Sequence, residues 1–94
     1  MIDPLWKWRV DPAVEYSSEG RNALLAGDLE AAGRIFAGSE LAGDLVGLGD
    51  VRTLLGEVPV DPYEQAARVA PASSFVACGL SQSFVLRGEA VRAV

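Results

Sequence analysis

The chain has 94 residues, with one cysteine and no histidine. This length fits a single domain, and the residue counts exclude an internal disulfide and the usual zinc-ligand sets. Half of the residues are hydrophobic, which is more apolar than a disordered chain of this length. We therefore expect a folded domain whose small core, built mainly from alanine, valine and leucine, is completed by association with another chain.

The formal net charge of −5 is unevenly distributed along the sequence. Residues 11–64 carry eleven carboxylates and three arginines, whereas residues 65–94 carry three arginines and one glutamate. A mostly acidic surface repels phosphates, so we predict no nucleic-acid partner. No stretch approaches the roughly 18 apolar residues of a membrane span, and residues 1–10 lack the apolar run of a signal peptide. We expect a cytoplasmic protein.

Residues 1–9 are predicted to form an extended arm. The sequence Leu5-Trp6-Lys7-Trp8-Arg9 alternates, which in a strand places both tryptophans on one side and the basic residues on the other. The tryptophans either cover the domain's own core or anchor a partner, since tryptophan is enriched at binding hot spots.

The triplet Val-Asp-Pro occurs at 10–12 and again at 60–62. Aspartate is a good helix N-cap, and proline at the first helical position loses no needed donor. We therefore predict that Asp11 and Asp61 each cap a helix. The second triplet is followed by Glu64, as in a capping box.

Region 11–58 is predicted to be helical, with breaks at Gly-Asp pairs. The segment 25–29, Leu-Ala-Gly-Asp-Leu, recurs at 41–45, and Gly49-Asp50 is a looser copy. Each pair can end one helix and cap the next. Whether the helix from 12 breaks at Gly27 stays open, because glycine weakens a helix by about 1 kcal/mol without preventing it. Residues 39–58 then form one or two short helices.

Region 61–94 is predicted to be a second helical region. A short helix over 63–70 ends at Pro71, and Ser73 or Ser74 caps another. Residues 83–92 also fit a β-hairpin that turns at Gly88-Glu89, because β-branched residues are frequent there. The fold class is therefore mainly α: one domain over 1–94, with four to five short helices and possible strands only at its C-terminal end.

The sequence contains no pattern typical of a catalytic, cofactor or metal site. General acid-base catalysis at neutral pH relies heavily on histidine. Cys78 lies in an apolar stretch, which predicts a buried and unreactive structural thiol. The carboxylate pairs Asp28/Glu30 and Asp61/Glu64 are explained by helix capping and the helix dipole. We therefore predict a protein that is not an enzyme.

Two segments resemble known families. Residues 23–32 with Phe36 resemble the Gly-Asp hinge of a tetratricopeptide unit, which implies a local helix-turn-helix. The chain length, Val10-Asp11-Pro12, and Phe36-Ala37-Gly38-Ser39 at a helical turn resemble the helical-hairpin (WXG-class) proteins of actinobacterial type VII secretion. That resemblance implies pairing into a four-helix bundle and secretion without a cleavable signal peptide.

These patterns together favour a small acidic helical protein that acts by binding protein, as an adaptor, a regulator or an assembly subunit. The partner is another protein or a further copy of the chain. The alternatives are the secreted hairpin protein and an accessory subunit of an enzyme complex. The candidate partner-binding residues are Trp6, Trp8, Leu41, Leu45, Leu48 and Leu55.

Overall fold

A short 3₁₀ helix precedes a bundle of five α-helices. A computed structural model describes residues 5–10, 12–57 and 59–92, and these contain no β-strand. The mainly helical fold class is therefore confirmed. The elements are the 3₁₀ helix Trp6–Arg9, α1 Ser18–Leu25, α2 Leu29–Ala37, α3 Ala42–Leu54, α4 Asp61–Val69 and α5 Ser74–Arg92.

Residues 5–9 do not form the extended arm predicted for residues 1–9, of which residues 1–4 lie outside the described residues. Residues Trp6–Arg9 form one 3₁₀ turn, in which side chains two positions apart point in different directions, because there are three residues per turn. Trp8 is fully buried, whereas 51% of Trp6 is exposed. The two tryptophans therefore have different environments, and the prediction that they share one side is wrong.

The first helix begins six residues later than the Val-Asp-Pro triplet predicts. Asp11 lies outside the described residues, and Ala13 has a φ of 56°, which a right-handed helix does not contain. The α1 helix is capped instead by the Ser17 hydroxyl, which accepts from the Gly20 amide at 3.4 Å. Two tertiary hydrogen bonds hold the preceding segment: Gly43 N donates to Glu15 O at 2.9 Å, and Ser17 N donates to an Asp44 carboxylate oxygen at 2.6 Å.

The chain does break at Gly27-Asp28. Gly27 adopts a φ of 82°, a conformation that glycine tolerates better than other residues. The Asp28 carboxylate then accepts from the Ala31 amide at 3.2 Å and caps α2. This turn forms the local helix-turn-helix of α1 and α2 that the tetratricopeptide-like segment implies.

The other two Gly-Asp pairs do not break a helix, contrary to expectation. Gly43-Asp44 and Gly49-Asp50 both lie inside α3. Both carboxylates are buried and hydrogen-bond to groups from other elements, so neither caps the next helix. Both aspartates thus make tertiary contacts that local sequence patterns do not reveal, and α3 continues as a single helix.

The C-terminal half follows its predicted order with one shift. The α4 helix begins at Asp61 itself, with Val60 at the N-cap and no side-chain cap, so the prediction that Asp61 is the cap is wrong by one residue. The Ser73 hydroxyl caps α5 by accepting from the Val76 amide at 3.2 Å. The backbone is helical through Gly88 and on to Arg92, so the hairpin alternative is not supported.

Helix α3 lies at the centre of the bundle, where it packs against α1, α2, α4 and α5. The radius of gyration is 12.1 Å, close to the value of about 12 Å expected for a compact domain of this length. The buried apolar core contains Trp8, Leu24, Ala32, Phe36, Ala42, Leu45, Val46, Val51, Tyr63, Ala66, Phe75 and Val76.

Candidate functional site

A buried polar cluster surrounds the carboxylate of Asp50. Lys7 Nζ lies 2.8 Å from Asp50 Oδ2, and Trp8 Nε1 donates to the same oxygen at 2.5 Å. Tyr63 Oη donates to Asp50 Oδ1 at 2.8 Å, and Gln82 Nε2 approaches that oxygen at 3.4 Å. Lys7 also donates to Gln82 Oε1 at 3.3 Å. One carboxylate thus connects the 3₁₀ helix, α3, α4 and α5.

The electrostatics of this cluster are set mainly by burial. Removal from water raises the pKa of Asp50, and the Lys7 charge, with hydrogen bonds from Lys7, Trp8 and Tyr63, offsets only part of that rise. Burial, followed by the neighbouring Asp50 charge, raises the pKa of Tyr63 far above its ordinary range. Tyr63 therefore keeps its proton and acts as a donor to Asp50.

The 3₁₀ helix is also held from outside this cluster. Arg21 of α1 donates to the Trp8 carbonyl through Nε at 3.0 Å and through Nη2 at 2.8 Å. The Trp8 ring stacks on Phe36 at a centroid distance of 5.9 Å and meets Phe75 edge-on at 4.8 Å. Asp50 is fully buried and Lys7 is 4% exposed, so the cluster lies inside the bundle and fastens the N-terminal segment to it.

A second feature lies on the outer side of α5. Phe84 is 55% exposed and Val85 50% exposed, and both follow Ala77 and Ser81 at spacings that share one helix face. Trp6 borders the same helix. We call this surface the α5 face and define it by Trp6, Ala77, Cys78, Ser81, Phe84 and Val85.

Two shallow grooves flank Trp6 on the α5 face. The larger has a volume of about 460 Å³ and is lined by Trp6 together with Ala77, Cys78 and Val85 of α5. The smaller, of about 230 Å³, is lined by Trp6 and Cys78 with Val10. Cys78 is half-buried and borders both grooves, so its thiol is less enclosed than the sequence predicts.

The α5 face carries very little charge. Residues 69–86 contain no charged side chain, and no carboxylate occurs between 65 and 88. The nearest cation on the helix is Arg87, whose guanidinium lies 4.4 Å from the centre of the Phe84 ring. The face is therefore apolar and free of acids in a chain that is otherwise acidic.

The predicted partner-binding residues do not form one surface. Trp6 is part of the α5 face, whereas Trp8 and Leu45 are buried in the core. Leu45 also touches a separate groove beside Val69. Of the remaining leucines, Leu41 and Leu48 are half-buried and Leu55 is 62% exposed.

The sequence interpretation missed most of the residues that define both features. Asp50 lies in the apolar stretch 45–51. An aspartate is rare on a buried helix face, so this position could have indicated a buried polar contact. The uncharged run 69–86 was a second signal, because a solvated helix normally carries charges on its outer side. The pairing of Asp50 with Lys7 had no local signal, since 43 positions of chain separate them.

The described residues contain neither a metal-ligand cluster nor a membrane-spanning helix. In 5–10, 12–57 and 59–92, no group of three or more histidine, cysteine or acidic side chains is placed to hold a metal ion. Within the same part of the chain, none of the helices combines the length and the apolar character needed to cross a membrane.

Comparisons with known proteins gave no match to this chain, whether among family models, curated proteins or solved structures.

Proposed function

We propose that this chain is a non-enzymatic protein-binding domain and that it binds another protein chain through the α5 face. The observation that carries the proposal is the exposure of three large apolar side chains, Trp6, Phe84 and Val85, each half or more accessible. Trp6 and Val85 line one groove, and Phe84 is exposed elsewhere on the outer side of α5, within a run of the sequence without carboxylates. Exposed apolar patches of this kind commonly mark protein interaction sites.

The unbalanced composition of α5 supports this proposal. One side of α5 packs against α3 and α4, and the opposite side exposes alanine, serine, phenylalanine and valine where charged residues are normal. Burying a large apolar side chain contributes roughly 1.5–3 kcal/mol. A partner that covered Trp6, Phe84 and Val85 would therefore gain a substantial part of a typical binding free energy.

Of the other exposed apolar side chains, Val10 lines the smaller groove beside Trp6, and the rest do not offer a comparable surface. Leu54 and Leu55 are exposed at the end of α3, but they lie between Arg52 and Glu57 in the sequence. Leu25 and Val69 are exposed on other helices. Single exposed apolar residues are common on protein surfaces, so these positions require no partner.

The single cysteine allows a direct test. Cys78 lies in the grooves beside Trp6, so a bound partner should protect its thiol from a maleimide reagent. We expect Cys78 to label readily in dilute purified protein and slowly in fresh native extract. The matched control is a Cys78→Ser chain with Asn22→Cys on the exposed side of α1, which should label at the same rate in both samples.

Equal labelling of Cys78 in the two samples would show that nothing covers the face and would refute the proposal. Protection of both the α5 and the α1 cysteine would point to general sequestration of the chain. That result would also count against specific binding through α5.

The secretion-associated hairpin stays an alternative prediction. The turn after Phe36 does join two helices, α2 and α3, as that resemblance implies. A long second helix, however, would run through Pro59, where the structure has two separate helices, α3 and α4. An accessory enzyme subunit, the other alternative, would also need a protein-binding face, so the labelling test applies to it as well.

A further inference from the structure

We propose that Asp50 is a positioning residue for the α5 face. Its buried contacts hold the 3₁₀ helix in place, and this helix places Trp6 beside α5. The buried polar cluster and the exposed binding surface are therefore connected, so that a change at Asp50 alters the surface from inside the bundle. This inference rests on the proposed function, because it states what keeps that binding surface in shape.

Trp6 contributes to the wall of both grooves on the α5 face, and α5 contributes opposite it. The α5 helix has 19 residues and packs on α3 and α4, whereas Trp6 belongs to a 3₁₀ helix of four residues. A helical turn this short has little stability of its own. The position of Trp6 therefore depends on the contacts that hold the 3₁₀ helix against the bundle.

The Asp50 carboxylate provides such contacts directly beside Trp6. Lys7 follows Trp6 in the sequence, and its Nζ lies 2.8 Å from Asp50 Oδ2. Trp8 Nε1 donates to the same oxygen. Because consecutive Cα atoms are only about 3.8 Å apart, the backbone of Trp6 cannot move far while these two neighbours are held.

Two side chains belong to the cluster and to a groove at the same time. Gln82 lines the larger groove; its Oε1 accepts from Lys7 Nζ at 3.3 Å, and its Nε2 donates to Asp50 Oδ1 at 3.4 Å. Lys7 itself lines the smaller groove beside Trp6. The Asp50 carboxylate is therefore connected to each groove through one side chain.

The two charges of the buried pair lie on different parts of the fold. Asp50 belongs to α3 and Lys7 to the 3₁₀ helix, and removing either partner leaves the other charge in a costly buried position. With Asp50→Asn the remaining charge is the Lys7 ammonium, which gains free energy by moving toward water and pulls the 3₁₀ helix with it. With Lys7→Met the remaining charge is on α3, and the 3₁₀ helix gains an apolar side chain that stays buried.

Maleimide labelling of Cys78 in the purified chain measures whether Trp6 still encloses the grooves. Asp50→Asn should speed the labelling by about threefold or more, because displacement of Trp6 opens the wall beside the thiol. Lys7→Met should label at the rate of the unaltered chain. Lys7→Met/Asp50→Asn, which contains neither buried charge, should do the same. Circular dichroism checks that each variant is folded.

Two further variants complete the experiment. The chain with Cys78→Ser and Asn22→Cys reports on α1, and its labelling should not change when Asp50→Asn is added. Arg21→Met decides the question if Asp50→Asn does not fold. Arg21 is half-buried and donates to the Trp8 carbonyl at 2.8 and 3.0 Å, so its removal loosens the 3₁₀ helix without leaving a charge in the core. Cys78 should again label faster.

Unchanged Cys78 labelling in folded Asp50→Asn, or in Arg21→Met if that variant decides, would overturn the inference. Equal acceleration in Asp50→Asn and in either Lys7→Met variant would also overturn it, because that result indicates a general loss of stability. These measurements involve no partner, so their failure leaves the proposed function standing.

The same variants in native extract connect the position of Trp6 to binding. Protection of Cys78 in extract should be lost in Asp50→Asn and retained in Lys7→Met/Asp50→Asn. Protection that persists in Asp50→Asn would show that binding does not need the positioned Trp6 and would overturn the inference. Absence of protection in the unaltered chain refutes the proposed function itself, so the two failures are distinguishable.

Discussion

At the residue scale, Asp50 determines how the N-terminal segment is attached. A buried carboxylate is costly unless charged and hydrogen-bonding partners surround it. Here the Asp50 carboxylate oxygens lie 2.5–2.8 Å from Lys7 Nζ, Trp8 Nε1 and Tyr63 Oη. Because two of these partners come from the 3₁₀ helix, that segment is bound by specific polar contacts as well as by apolar burial.

Removing the Lys7 ammonium group should show how much free energy it costs to bury the Asp50 carboxylate. We expect Lys7→Met to lower the free energy of unfolding by about 3–5 kcal/mol at neutral pH, because an uncompensated carboxylate is left inside the protein. Urea unfolding followed by circular dichroism measures the change. The double variant Lys7→Met/Asp50→Asn contains neither buried charge and should recover most of the loss. Arg34→Met, at an exposed position, serves as the control for losing a surface cation.

The same pair predicts a pH dependence. Burial raises the pKa of Asp50 in the folded state above its ordinary value of 3.8. The contribution of this protonated carboxyl group to the free energy of unfolding is therefore fully present below pH 3.8. It is lost as the pH rises through the folded-state pKa. Lys7→Met removes the main opposing influence and raises this pKa further. The stability difference between the unaltered chain and Lys7→Met should therefore widen from acid to neutral pH.

Urea titrations at intervals between roughly pH 3 and pH 8 measure this difference. Asparagine at position 50 does not titrate. In an Asp50→Asn background, the effect of Lys7→Met on stability should therefore lose the pH dependence that comes from residue 50. A gap that is constant with pH in the unaltered background would contradict the assignment to Asp50.

At the element scale, α3 shows how glycines can preserve a helix instead of ending it. A Cβ at Gly47 would lie 2.5 Å from the Phe36 ring, and one at Gly49 would lie 2.6 Å from the Tyr63 ring. Both distances are far below van der Waals contact. The glycines therefore allow aromatic rings of α2 and α4 to pack directly on the α3 backbone, which compensates for their low helix propensity.

Replacing one of these glycines should reverse the usual effect of alanine in a helix. We expect Gly49→Ala to destabilise the fold by about 1–3 kcal/mol through overpacking against Tyr63. Gly88→Ala in α5 is the matched control, because a Cβ there meets nothing within 4 Å. That substitution should stabilise the helix by up to about 1 kcal/mol. Thermal melts of both variants give the comparison, and stabilisation by Gly49→Ala would show that the ring has room to move.

At the scale of the whole molecule, the N-terminal segment closes the bundle with Trp8. This ring is fully buried and contacts Phe36 of α2, Phe75 of α5 and Tyr16, which precedes α1. A domain of this size has little apolar surface to spare. The fold therefore depends on Trp8, which joins three separate parts of the chain.

The two tryptophans should respond differently to substitution. We expect Trp8→Ala to cost about 3–5 kcal/mol, a large part of the 5–15 kcal/mol by which domains are usually stable. Trp6→Ala removes a half-exposed side chain and should change stability far less, while weakening association through the α5 face. Urea unfolding of both variants measures the effect on stability, and protection of the Cys78 thiol in native extract measures binding through the α5 face. Equal stability losses would show that Trp6 also supports the core.

The local chemistry of the sequence was informative wherever a segment acted alone. It predicted a mainly helical fold, a helix ending before Pro71 and a serine cap at the start of α5, all of which the structure contains. It left the break at Gly27 open, because glycine propensity alone does not decide it. It was wrong for Asp44 and Asp50, which do not cap a helix but hydrogen-bond to groups from other elements. Those groups are distant in the sequence, so local patterns do not identify them.

The candidate site was predicted only in part. Trp6 was named for its residue type, which does favour interfaces, but nothing local separated it from Trp8. That separation arises because a 3₁₀ turn directs one ring toward Phe36 and leaves the other beside Cys78.

Residue composition thus sets the helical class, the acidic surface and the uncharged run at 69–86, because these depend on neighbouring residues alone. Tertiary packing decides which tryptophan is buried, which aspartates leave their helix ends and which side of α5 stays exposed. These outcomes depend on long-range contacts such as Lys7 with Asp50, and the free energy of such contacts exists only once the helices have come together.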